Sequence, residues 1–183
     1  MQRKTLFSLG LLLLASAALC ADGWNQFRGP DGSGIAPDRR PPIKIDAAKP
    51  TWKIALPPGH SAPVLSARRI FITGLEQGRL GTLAFDKATG KPAWRRAAPM
   101  AVIERVHTAN SPAAPSALVD KDRVFVWFGS FGLLCYDHDG RELWRKPIPT
   151  PRTLYGTSTS PIAHRDKLIL VLDNDANLPR SRL

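Results

Sequence analysis

Leu83-Ala84-Phe85-Asp86-Lys87-Ala88-Thr89-Gly90-Lys91-Pro92-Ala93-Trp94 and Leu134-Cys135-Tyr136-Asp137-His138-Asp139-Gly140-Arg141-Glu142-Leu143-Trp144 are two copies of one pattern. Each passes from an apolar strand into an Asp, a tight turn closed by Gly, a basic residue, and a Trp followed by further basic residues. The two Asp residues lie 51 positions apart. Gly90 and Gly140 stand where a hairpin turn calls for positive φ, which glycine adopts without steric cost. Runs of four to seven residues rich in Val, Ile, Phe and Trp, bounded by Gly, Asp and Pro, read as strands, because a helix would need ten or more periodic residues.

A second pattern precedes each copy: a proline, a short apolar strand, a charged turn and a longer apolar strand. It is Ser61-Ala62-Pro63-Val64-Leu65 followed by Arg69-Ile70-Phe71-Ile72-Thr73-Gly74, and again Ala114-Pro115-Ser116-Ala117-Leu118-Val119 followed by Arg123-Val124-Phe125-Val126-Trp127-Phe128-Gly129. A third begins at Ser160-Pro161-Ile162-Ala163, with Lys167-Leu168-Ile169-Leu170-Val171-Leu172-Asp173 as its long strand. Pro63, Pro115 and Pro161 are 52 and 46 residues apart, a period suited to four short strands per unit and to propeller blades. The prolines fall at strand starts, where a missing N–H is tolerated.

Composition agrees with an all-β chain. Its 183 residues are 43% hydrophobic, enough for a core and too much for a disordered chain, and 17 prolines and 14 glycines scattered between apolar runs disfavour a helical bundle. Two cysteines, Cys20 and Cys135, exclude a disulfide-rich scaffold and any multi-cysteine zinc or iron–sulfur site within this chain. Cys135 lies in an apolar run, where a buried, inert thiol is expected.

Met1, Gln2, Arg3 and Lys4 precede an apolar stretch from Leu6 to Leu19, the proportions of a secretory signal and shorter than the roughly 20 residues of a membrane-spanning helix. Cleavage before Ala21 puts Ala18 and Cys20 at positions −3 and −1. A lipidated alternative keeps Cys20 as the first residue, although Ala17 and Leu19 do not make the usual lipidation box; an uncleaved anchor is the third option. Loss of Arg3 and Lys4 lowers the net charge of +11 by two, to +9. An exported basic chain meets anionic lipid or cell-wall polymers rather than nucleic acid, and the dispersed pairs Arg39-Arg40, Arg68-Arg69 and Arg95-Arg96 read first as a solvated surface.

At these residues the sequence resembles the pyrroloquinoline-quinone-like (PQQ-like) β-propeller repeat family, whose blade signature is apolar-Asp-x-x-Thr-Gly-x-x-x-Trp. Asp86, Thr89, Gly90 and Trp94 match it in full; Asp137, Gly140 and Trp144 match a copy shortened by one residue. Trp24-Asn25-Gln26-Phe27-Arg28-Gly29-Pro30, with Gly32 and Gly34, looks like the N-terminal lead-in of exported members. The resemblance implies an all-β propeller of four-stranded antiparallel blades. It also implies a structural motif in which the Thr-Gly turn and the Trp lock blades together, the indole on the neighbouring blade and its N–H on a backbone acceptor. Trp52 is expected to do the same for the first blade, and Trp127 to be ordinary core. The expected organisation is a signal over residues 1–20, a lead-in over 21–52 and repeats over 53–183, with blades near 53–98 and 110–150 and a partial blade near 157–183. Propellers close with about four to eight blades, so the chain reads as an incomplete propeller whose remaining blades come from the same or an adjacent reading frame.

The residue types of catalytic sites are present but poorly arranged. His60-Ser61 and the group Glu104, His107 and Ser111 have the makings of a Ser-His-acid site, but no nucleophile-elbow glycines flank either serine, and hydrogen bonding by His107 and Asn110 within a loop is expected instead. Asp173-Asn174-Asp175-Ala176-Asn177 alternates oxygen ligands as a calcium loop does, yet Leu178 stands where such a loop needs Gly. Neither a P-loop nor GxGxxG occurs.

No catalytic, cofactor-binding or metal residue is therefore expected. Two functions stay open. One is a non-enzymatic, BamB-like exported propeller that binds protein partners in the cell envelope, in the periplasm or outside the cell. The other is a fragment of a quinoprotein alcohol or sugar dehydrogenase, which alone would call for PQQ and calcium.

Overall fold

In the computed structural model the described residues are 23–36, 40, 42–99 and 102–175. Residues 1–20, read as an export signal, lie outside them, as do Ala176 and Asn177 of the alternating oxygen run. Among the described residues there is no helix, and ten strands form three antiparallel sheets. The first sheet contains β1 (Val64–Leu65), β2 (Arg69–Glu76), β3 (Arg79–Asp86) and β4 (Pro92–Ala97) in chain order. The second repeats that order with β5 (Leu118–Val119), β6 (Arg123–Phe128), β7 (Gly132–Asp137) and β8 (Glu142–Pro147). β9 (Ile162–His164) and β10 (Lys167–Ile169) form a two-stranded sheet. This is the blade architecture of a PQQ-like propeller, in part.

Side-chain alternation along the strands assigns each blade face to a neighbour. On β6, Val124, Val126 and Phe128 join Leu134 and Tyr136 of β7 in a core shared with Val64, Phe71, Leu80 and Trp94 of the first blade. The intervening Phe125 and Cys135, with Leu118, face the other way, and Leu168 of the third sheet packs on them. The second blade is thus buried on both faces, which is why Val124-Phe125-Val126-Trp127-Phe128 is a continuous apolar run rather than an alternating one.

Polar groups between blades are matched across the same seams. The Ser116 hydroxyl accepts from the Ala62 N–H (2.8 Å), and the Ser160 hydroxyl accepts from the Ser116 N–H (2.9 Å). The Thr73 hydroxyl, buried in the first blade, donates to the Pro115 carbonyl (3.0 Å). These bonds join the segments that lead into β1, β5 and β9.

Candidate functional site

Each β3–β4 type turn is built around an aspartate. Asp86 Oδ1 accepts from the Thr89 N–H (2.9 Å) and hydroxyl (2.8 Å), and the Gly90 N–H returns to the Asp86 carbonyl (2.8 Å). These bonds, the Thr89 hydroxyl foremost, hold the Asp86 carboxyl below its usual range. In the shortened copy Thr89 has no counterpart. Asp137 Oδ1 accepts from the N–H groups of Asp139 (3.0 Å) and Arg141 (2.9 Å), and Arg141 Nε donates to Oδ2 (3.1 Å). Burial alone would raise the Asp137 carboxyl, but these donors outweigh it and leave it lowered.

Both turns feed a register shift. Ala84 pairs with Trp94 while Phe85 pairs with Pro92, and Cys135 pairs with Trp144 while Tyr136 pairs with Glu142. Ala93 and Leu143 are the extra residues, and such bulges re-aim the neighbouring side chain. Trp94 lies over Gly140 of the next blade and its Nε1 donates to the His138 carbonyl (2.8 Å). Trp52 lies over Gly90 in the same way, Nε1 donating to the Lys87 carbonyl (3.2 Å). In both cases the acceptor is the residue after the turn aspartate. Both glycines have positive φ, 69° at Gly90 and 83° at Gly140, and a Cβ at either would stand within 2.7 Å of the indole. Arg96 completes the seam, its Nε on the Gly140 carbonyl (2.6 Å) and its guanidinium over the Trp94 ring.

Trp144 departs from the expected wedge. It is 38% exposed, against 8% for Trp94, and its ring neighbour is Phe125 of its own blade (centroids 6.0 Å apart). The reason is topological: among the described residues the third sheet consists of β9 and β10, and no β3–β4 type turn reaches the indole.

On the opposite end, the loops ahead of β5 and β9 meet. Glu104 Oε2 accepts from the Thr157 N–H (3.1 Å) and hydroxyl (2.9 Å), and Asn110 Nδ2 donates to the Tyr155 carbonyl (2.9 Å). Burial pushes the Glu104 carboxyl up, partly offset by the Thr157 bonds, and its Oε1 is buried without a partner. The catalytic types named above do not converge. Ser61 Oγ bridges the Thr73 N–H and carbonyl, Ser111 Oγ accepts from the Ala113 N–H, and His107 Nδ1 accepts from the Ala109 N–H. Asn174 and Asp175 carboxamide and carboxylate oxygens accept from the Arg152 and Leu154 N–H groups, beside a shallow cavity of about 230 Å³ that Tyr155 and Thr157 also line. No group of three or more His, Cys, Asp and Glu side chains suited to a metal ion occurs among the described residues.

A family model described as outer membrane protein assembly factor BamB matches residues 41–177, well over half of the chain. The chain belongs to that PQQ-like repeat family. A search of curated proteins finds no match. Among solved structures, a europium-containing methanol dehydrogenase resembles the chain with a TM-score of 0.51 at 12% identity, over 66% of this chain and 21% of its own. At that identity the likeness concerns fold alone, and the chain spans about a fifth of that protein's length.

Within this family the repeat explains why Asp86, Gly90 and Trp94 recur at Asp137, Gly140 and Trp144. Sequence reading missed the Glu104–Thr157 contact, made across 53 positions, for which no local pattern exists. It also missed Arg96 as a seam residue, although the basic pair after each Trp was a visible signal.

Proposed function

We propose that this chain is a non-enzymatic propeller module of the cell envelope, exported to the periplasm or beyond, that works by docking protein through its blade faces. The observation that carries this reading is Trp144. Trp52 and Trp94 are each capped by a glycine turn of the next blade, whereas Trp144 presents the bulged geometry of Trp94 half open, beside Leu143 at 41% exposure. An amphipathic ring with a free N–H on a rigid strand suits protein recognition, since it brings a large apolar area at low entropic cost. What fits over Trp144 follows from the covered copies: a hairpin turn with a positive-φ glycine and a carbonyl two or three residues before it, which a further propeller blade supplies as well as a separate protein partner. Export is supported by the basic-then-apolar N-terminus and by the family's description as an outer membrane assembly factor. A photo-crosslinking residue in place of Leu143, in envelope fractions, should yield a discrete product that Trp144→Ala abolishes; a yield indifferent to Trp144→Ala would refute the docking reading.

The second reading, a piece of a quinoprotein dehydrogenase, draws on the methanol dehydrogenase likeness. The residues present fit that group poorly. Glu104 is a half-buried acid of the loop face, Thr157 already engages one of its oxygens, and no group of three or more His, Cys, Asp and Glu side chains suited to a metal ion occurs among the described residues.

A further inference from the structure

Three consecutive residues, ahead of the stretch matched by the family, reach three successive blades. The Trp24 carbonyl accepts from the Leu65 N–H (2.7 Å), the Asn25 carbonyl from the Val119 N–H (2.8 Å), and the Gln26 side-chain Oε1 from the Ala163 N–H (3.3 Å). Asn25 Nδ2 also donates to the Val119 carbonyl (3.3 Å). Leu65, Val119 and Ala163 hold one register position: each pairs with the residue five further on, Ile70, Val124 and Leu168.

The direction of these bonds locates the segment. The Ser66 and Asp120 N–H groups point into their own sheets, to the Arg69 and Arg123 carbonyls. Alternation along a strand therefore aims the Leu65 and Val119 N–H groups the other way, off the edge of β1 and β5. β1 and β5 are edge strands of their sheets and lie against each other, the arrangement of the edges that line a propeller's axis.

The lead-in is shaped to stay there. Gly23 passes so close that a Cβ would lie 2.9 Å from the Leu65 carbonyl oxygen. The Trp24 ring packs on Gly29, whose φ of 85° and lack of Cβ allow the turn. Gln26 is 6% exposed, and its Nε2 donates to the Pro30 carbonyl (3.1 Å), which aims Oε1 at Ala163.

We infer that Trp24-Asn25-Gln26 is an axial clasp. It occupies the inner edges of the first two blades, which would otherwise offer unpaired backbone groups to other chains, and it ties the two-stranded third sheet to them. Open edges invite edge-to-edge pairing, and a lone two-stranded hairpin is marginal in water. Of the three clasp residues, Gln26 is the one that reaches the third blade, and it does so through its side chain rather than its backbone.

Hydrogen exchange on the full chain tests this amide by amide. In the wild type the Leu65, Val119 and Ala163 amides should exchange more slowly than the solvent-exposed amides of Gly78 and Asp166. Gln26→Ala should speed Ala163 by up to about tenfold, the worth of one net hydrogen bond, and leave Leu65 and Val119 within about twofold. Gly23→Val should instead speed Leu65 and Val119 while the Phe125 and Cys135 amides inside the second sheet stay protected. Phe27→Ala, 48% exposed, serves as a control that should change none of them. Fast exchange at all three amides in the wild type would overturn the clasp, as would a Gln26→Ala pattern that spares Ala163 or loosens all three alike.

Discussion

Trp94 and Trp144 share a strand position, a preceding bulge and a following basic pair, and differ in what covers them. Removing a covered indole leaves a cavity and an unpaired His138 carbonyl, so Trp94→Ala should lower stability by about 3–5 kcal/mol. Trp144→Ala should cost clearly less, since its ring already faces solvent over 38% of its surface. Urea midpoints for the two variants check this, and equal losses would mean that Trp144 is buried in solution. Glu104 offers a pH test. Burial raises its carboxyl above the usual 4.5, so the folded state binds that proton more tightly than the unfolded chain. Its contribution is therefore fullest below 4.5 and is lost as pH rises through the folded value. Glu104→Gln keeps an acceptor for Thr157, and wild type should lose stability relative to this variant between pH 4 and pH 7. Asp86 has the opposite sign: its lowered carboxyl supports the fold above 3.8 and ceases to do so as pH falls through its folded value.

At the scale of the turn and strand, glycine is required twice over where an indole lies on it. Gly78, between β2 and β3, has φ of 74° and open space, with no atom within 4 Å of where a Cβ would stand, so Gly78→Ala should cost about 1–2 kcal/mol, the left-handed backbone penalty. Gly140→Ala carries the same penalty and drives a Cβ to 2.6 Å from Trp94, which should add about 1–3 kcal/mol of overpacking. Thermal unfolding of the pair isolates the seam, and equal losses would deny that the indole rests on the turn. β7 carries a second reporter. Cys135 is fully buried against Leu118 and Phe125, and burial pushes its thiol up to about 12. A thiol-alkylating reagent at pH 8 should leave it unmodified in the folded chain and react fully in denaturant, because the thiolate is the nucleophile.

For the whole molecule, charge and architecture make opposing demands on an anionic quinone. A net charge of +9 after removal of residues 1–20 attracts it, while no group of three or more His, Cys, Asp and Glu side chains suited to an accompanying calcium ion occurs among the described residues. Attraction of that kind is screened beyond roughly 8 Å at physiological ionic strength. Calorimetry with PQQ and calcium should therefore show weak binding that disappears on raising salt, and a dye-reduction assay with alcohols or sugars should stay at the blank. Salt-resistant one-to-one binding with calcium-dependent turnover would favour the dehydrogenase reading instead. Export is checked separately: mass spectrometry after expression in a bacterial host should find a mature N-terminus near Ala21 or Asp22, and an intact Met1 in the membrane fraction would contradict it.

The all-β class, the blade period and the turn chemistry were legible in the residues, because each depends on local rules. Alternation and β-branched runs make strands, Asp86 and Asp137 cap their turns within five residues, and Gly90 and Gly140 supply positive φ wherever the turn is formed. Partners were not legible. Trp52, Trp94 and Trp144 read alike, and only the packing of one blade on the next decides that two are covered and one is open. Glu104 meets Thr157, and Trp24, Asn25 and Gln26 meet Leu65, Val119 and Ala163, across separations of 41 to 137 residues. Nothing at either end of such a contact marks the other, since a backbone N–H on a strand edge is the same group in every residue and its acceptor is chosen by where the blades place that edge.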